Sequence, residues 1–127
     1  MQQRAYTILL VEDDEDDFLL MKIYFREIPE CRVVLEWVDT YQKALQAFQQ
    51  HLPDILLVDY NLNSSSNGLD LVQELKRRDP GIPAFLITAQ DRYAFGKHEA
   101  YALLDGIINK NQLSTKVLND TVCRRLK

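Results

Sequence analysis

The chain has 127 residues, 46% of them hydrophobic and 27% charged, which is the size and balance of one globular domain that can bury its own core. Its net charge of −4, from 15 basic and 19 acidic residues, leaves no broad cationic footprint for nucleic acid. The longest aliphatic runs, Ile8–Val11 and Ile55–Val58, are four residues each, far short of the roughly 20 that span a bilayer.

Met1-Gln2-Gln3-Arg4 carries no marks of a signal peptide. Cys31 and Cys123 have no His or Cys at metal-ligand spacing. The expectation is a cytoplasmic protein with two reduced thiols and no membrane contact.

In chain order, Tyr6 to Val11 reads as a buried strand, and Phe18, Leu19, Met21, Ile23, Tyr24 and Phe25 follow at near-helical spacing. Val33, Leu35 and Trp37 alternate with Val34, Glu36 and Val38 as a second strand. Asp39 with Gln42 reads as the start of a second helix, whose apolar stripe is Ala44, Leu45 and Phe48. Asp54 to Asp59 is a third strand, apolar on both faces. A polar loop, Asn61 to Asn67, leads to Gly68 and a helix bearing Leu69, Leu71, Val72 and Leu75, which Asp79-Pro80-Gly81 ends. Ala84 to Thr88 is a fourth strand, 91–104 a weaker helix with Gly96 inside it, Gly106 to Asn109 a fifth strand, and a last helix starts near Leu113. Strands alternating with helices through short loops imply one α/β domain over 1–127, with a mostly parallel sheet covered on both faces.

In such sheets functional groups collect at the carboxyl ends of the strands. The first strand runs into Glu12-Asp13-Asp14, the third into Asp59, the fourth into Thr88 and the fifth into Lys110. Parallel strands lie about 4.8 Å apart. If the first strand sits between the second and third, Glu12, Asp13 and Asp59 crowd one pocket, and a hard divalent cation such as Mg²⁺ relieves their repulsion. The surroundings then suit phosphoryl transfer: Asp59 as the nucleophile, with Lys110 and Thr88 offered to the phosphate oxygens. Glu12 to Asp17 are six consecutive acids. The helix dipole accounts for Glu15, Asp16 and Asp17 without any function, with Asp14 as the cap. His51 and His98 lack metal partners and read as surface residues, while Tyr93, Phe95 and Tyr101 are divided between a partner face and core packing.

The runs Ile8-Leu9-Leu10-Val11-Glu12-Asp13-Asp14, Asp54 to Asp59, Phe85-Leu86-Ile87-Thr88-Ala89 and finally Lys110 resemble the receiver domains of two-component signalling over nearly the whole chain. The resemblance implies a flavodoxin-like, doubly wound five-stranded sheet of order 2-1-3-4-5. It also implies Asp59 as phosphoacceptor and Mg²⁺ held by Asp13, Asp59 and the Asn61 backbone carbonyl, with Glu12 acting through water. The partner implied is a sensor histidine kinase or phosphotransfer protein, with a fused or separate output domain. No enzyme activity is expected beyond self-phosphorylation and self-dephosphorylation.

Several positions depart from the family pattern. Asn63 stands where a proline is usual. The family's cis Lys-Pro is Lys110-Asn111, and a cis bond before Asn would cost about 3 kcal/mol, so a different turn is expected to present the lysine. Ile107 replaces a fifth-strand aromatic, which moves the expected signal from Thr88 to the 91–104 segment. Gln90 and Asn61 flank the path of a hydrolytic water. Three other functions compete. A haloacid-dehalogenase-type phosphatase wants a second Asp where Asn61 stands, and a flavin site wants a phosphate-binding loop where Glu12 to Asp17 would repel phosphate. A receiver-like interaction module that is never phosphorylated is the third.

Overall fold

Short runs of branched and aliphatic residues, too short for helices and closed by polar residues, make the strands. The computed structural model describes residues 4–63, 65–89 and 98–126. The strands are β1 (Ala5–Val11), β2 (Arg32–Val38), β3 (Ile55–Asp59), β4 (Ala84–Thr88) and β5 (Gly106–Asn109). They form one parallel sheet of order β2-β1-β3-β4-β5, as the family resemblance implies. Val11 lies beside both Val38 and Val58, Asp59 beside Ile87, and Thr88 beside Asn109.

Side chains alternate across a strand, so each strand feeds two cores. Ile8, Leu10, Ile55, Leu57, Phe85 and Ile87 face α1 (Glu15–Arg26) and the C-terminal helix. Leu9, Val11, Leu56, Val58 and Ala84 face α2 (Tyr41–Gln50) and α3 (Gly68–Arg78). A small third cluster joins Leu69, Leu86 and Ala100, with Ile107 packed against it.

The caps show why each helix starts where it does. The Asp14 side chain accepts from the Asp16 and Asp17 N–H groups, as expected. At α2 the cap is Thr40, whose Oγ1 accepts from the Lys43 N–H at 3.1 Å. Asp39 lies one residue too early to cap, and pairs with Lys43 Nζ at 2.9 Å instead. Asn67 and Asp70 form a reciprocal capping box on α3.

Of the helix expected over 91–104, residues 91–97, with Tyr93, Phe95 and Gly96, lie outside the described residues, as does Gln90. Glu99–Leu103 is a 3₁₀ helix. His98, expected at the surface, is a structural anchor. Its Nδ1 accepts from the Ala100 N–H at 3.0 Å, so its other nitrogen, 2.9 Å from Asp70 Oδ1, donates to that carboxylate. His51 is exposed and pairs with Glu36 at 2.8 Å. The last helix starts after a Ser114 cap as α4 (Thr115–Leu118) and continues through a π-helical turn (Asn119–Cys123) into α5 (Arg124–Leu126). No helix among the described residues is long and apolar enough to cross a membrane.

A further expectation is overturned. Cys31 and Cys123 form a disulfide, their Cα atoms 6.0 Å apart in the core between α1 and the last helix. A sequence separation of 92 hid this proximity, which arises because both segments pack on the same face of the sheet. Closing so long a loop restricts the unfolded chain by about 4 to 5 kcal/mol in the chain-entropy model. A thiol reductant should therefore lower the urea midpoint clearly; equal midpoints with and without it would show that the cross-link adds no stability.

Candidate functional site

β1 ends on buried Val11, and β3 carries buried Val58 just before its terminal Asp59. Because Val11 pairs with Val58, Glu12 and Asp59 emerge side by side, 1% and 2% exposed. The Glu12 backbone is held firmly. Its N–H donates to the Val38 carbonyl at 3.0 Å, and its carbonyl accepts from Trp37 Nε1 at 2.7 Å. Trp37 in turn stacks on Phe18 at 4.4 Å between centroids, tying the β1–α1 turn to the edge strand.

Asp13 follows, half-buried, and accepts a hydrogen bond from Asn63 Nδ2. Asn63 holds φ at 50°, the left-handed region that Asn tolerates better than most residues. A proline at this position could not adopt that angle. Gly68 lets α3 approach from the same side: a Cβ there would lie 2.2 Å from the Asp59 carbonyl oxygen. Asp59 Oδ1 accepts from the Asn61 N–H at 3.1 Å, which places Asn61 against the pocket. Thr88 is buried at the end of β4, one residue past the partner of Asp59.

Lys110 opens a 3₁₀ turn, Lys110–Gln112, and no peptide among the described residues is cis. The turn differs from the family's, yet the lysine arrives. Its Nζ lies 2.7 Å from Asp59 Oδ2, 2.8 Å from Asp17 Oδ2 and 3.1 Å from Glu12 Oε1. The Glu12 approach is an ion pair without hydrogen-bond geometry, so Oε1 is buried with no hydrogen-bond partner. Asp17 therefore joins the site, which corrects its reading as a dipole-favoured surface acid. No local signal singled it out of the acidic run, because its partner Lys110 lies 93 residues away in sequence.

Charge dominates the pocket. Burial would lower the Lys110 ammonium, but hydrogen bonds to Asp17 and Asp59 and the charges of Asp59 and Glu12 outweigh it and raise it. Burial, then the Asp59 hydrogen bond and charge, pushes Glu12 up to about 9, with Lys110 opposing. Carboxylate oxygens of Glu12, Asp13 and Asp59 lie within 4.8 Å of one another. Three hard oxygen donors, one without a hydrogen-bond partner, fit a small divalent cation such as Mg²⁺.

The raised Glu12 value has a definite sign. A carboxyl that holds its proton more tightly when folded contributes stability that is complete below about 4.5 and lost as pH rises through about 9. Metal-free protein should thus lose stability across that window, and Glu12→Gln should flatten the loss. A slope unchanged in Glu12→Gln would assign it to other groups.

Comparison with known proteins agrees with this geometry. A model of the response regulator receiver domain matches residues 8–121. An uncharacterized response regulatory protein of Vibrio cholerae is 31% identical over 107 residues, covering 81% of this chain but 39% of that protein. The chain therefore spans about two-fifths of that relative. The fold is shared with a receiver domain protein of Methanospirillum hungatei at TM-score 0.82 and 19% identity, covering 97% of this chain and 94% of that one. It is shared also with the response regulator TrrA of Thermotoga maritima, solved in complex with Mg²⁺ and BeF, at TM-score 0.80 and 19% identity, covering 94% and 97%. With the family model spanning almost all of the strands, helices and acidic pocket described above, this chain belongs to the response regulator receiver domain family.

Proposed function

We propose that Asp59 accepts a phosphoryl group from a histidine kinase or phosphotransfer protein, and that the phosphorylated state signals through a changed conformation. The observation that carries this reading is the Lys110 ammonium 2.7 Å from Asp59 Oδ2 at the mouth of a three-carboxylate pocket. A carboxylate oxygen of Asp59 attacks phosphorus and the donor's P–N bond breaks. The leaving imidazole keeps the electron pair, and an acyl phosphate forms. Glu12, Asp13, Asp59 and the Asn61 carbonyl would hold Mg²⁺, which when bound neutralises phosphoryl charge.

The chain's own groups do the rest. The Asn61 N–H steadies Asp59 Oδ1, and Lys110 donates to Oδ2, a contact that passes to a phosphoryl oxygen on transfer. Lys110 carries its charge to the transferred phosphoryl oxygens, and Thr88 offers a hydroxyl beside them. The chain catalyses only its own modification and turns over no separate substrate. Since the full-length relative is longer, an output domain, fused or separate, would read the signal. Ile107 packs against Leu69, Leu86 and Ala100. With isoleucine rather than an aromatic at position 107, a shift of Thr88 would pass towards the 3₁₀ helix Glu99–Leu103. A module that is never phosphorylated is disfavoured, because Lys110 reaches Asp59 despite its altered turn.

Acetyl phosphate with Mg²⁺ should add one phosphoryl group by intact mass, and Asp59→Asn should abolish it; a label retained in that variant moves the acceptor elsewhere. Mg²⁺ should also stabilise the fold by about 2.7 kcal/mol at a hundredfold excess over its Kd. Asp13→Ala should blunt that gain. Trp37, the chain's only tryptophan, binds the Glu12 carbonyl and offers a fluorescence reading of the same titration. An undiminished Mg²⁺ response in Asp13→Ala would remove Asp13 from the ligand set.

A further inference from the structure

We infer that Asp17 is a positioning residue for phosphoryl transfer, holding the Lys110 ammonium over Asp59 from the first turn of α1; this rests on the proposed phosphorylation of Asp59. The geometry separates Asp17 from the other carboxylates. Glu12, Asp13 and Asp59 converge on one metal-sized space, and Asp17 lies outside that cluster. Its contact is with Lys110, at 2.8 Å. The Asp17 side chain is 33% exposed and that of Lys110 23%, so the pair sits at the rim, where water would otherwise compete for the ammonium.

Apolar packing does not enclose the lysine on every side: a cavity of about 60 Å³ lies beside it, lined by Leu20, Met21, Tyr24, Ile87 and Leu113 with Glu12 and Asp17. The turn after Lys110 has no proline to stiffen it. Two of the three carboxylates around Nζ also change during the reaction. Asp59 gives up an oxygen to phosphorus, and Glu12 faces the cation site. Asp17 is chemically unaltered throughout, so it can keep Nζ in place while the hydrogen bond to Asp59 is exchanged for one to a phosphoryl oxygen. An amine held in position before reaction needs less reorganisation in the transition state. This is the physical content of the role.

The test uses the whole chain with acetyl phosphate, reading the phosphorylation rate by intact mass and Mg²⁺ affinity by Trp37 fluorescence. Asp17→Asn, nearly isosteric, should lower the maximal rate about tenfold, equivalent to about 1.4 kcal/mol. Its half-saturating Mg²⁺ should stay within about twofold of the parent's, since Asp17 is outside the metal cluster. Asp17→Glu, which keeps the charge, should recover most of the rate. Asp16→Asn, an equal loss of charge one residue away, should leave the rate unchanged.

A rate in Asp17→Asn equal to or above the parent's overturns the inference. So does an equal slowing in Asp16→Asn, which would make the effect one of net charge. A slowing that tracks weakened Mg²⁺ binding overturns it too, by assigning Asp17 to the metal or the fold. Should Asp17→Asn not fold, Asp17→Ser is measured by the same criteria. A parent chain that takes no phosphoryl group on Asp59 sinks the proposed function and this inference together. A phosphorylated parent with an indifferent Asp17 sinks this one alone.

Discussion

Two carboxylates buried side by side at the ends of neighbouring strands are the constraint on which the rest of the molecule turns. Glu12 and Asp59 are almost wholly removed from water, and their shared countercharge in the chain is the Lys110 ammonium. Desolvating such groups costs several kcal/mol each, and one cation does not fully offset it. The raised Glu12 value reflects that imbalance. A domain built for stability alone would not place acids there, and local conflict of this kind marks a site where function has overruled packing.

The strand order makes the conflict inescapable. With β1 between β2 and β3, the Val11–Val58 pair must be followed by Glu12 beside Asp59. Around that pair the fold supplies rigid supports from every side. Trp37 of the edge strand grips the Glu12 carbonyl, the Asn63 amide grips Asp13, and the Asn61 N–H grips Asp59. Gly68 lets the start of α3 come close to the Asp59 carbonyl, where any side chain would collide. These supports come from separate elements of the fold. Their effect is to remove freedom from the acids, so that charge added at Asp59 must be answered elsewhere.

The lysine is where these acids meet a cation. Lys110 reaches inward from a short turn beside a small cavity, and its three carboxylate partners come from the residue after β1, from β3 and from α1. Any change in the charge of Asp59 redistributes those three contacts at once. Thr88 and Ile107 lie on the adjoining strands, and Ile107 packs into the small cluster beneath the 3₁₀ helix. That cluster, with Tyr60 packed against it, lies at the same end of the sheet as the acid pocket.

Much of this was legible along the chain because it rests on local pattern. Four-residue aliphatic runs closed by polar residues announce buried parallel strands, and the polar residues closing them point to Glu12, Asp13, Asp59, Thr88 and Lys110 without any coordinates. The cap at Asp14 is local for the same reason. What escaped was set by distance through space. The Cys31–Cys123 cross-link joins residues 92 apart that meet because α1 and the last helix cover one face of the sheet. Asp17 sat in an acidic run that the helix dipole explained well enough, until Lys110 arrived from 93 residues away. His98 gained its role from Asp70 on another helix. Periodicity and end residues depend on a few neighbouring dihedral angles, so sequence alone determines them. Which side chain meets which across the sheet depends on register and packing of whole elements, and only the tertiary structure decided that.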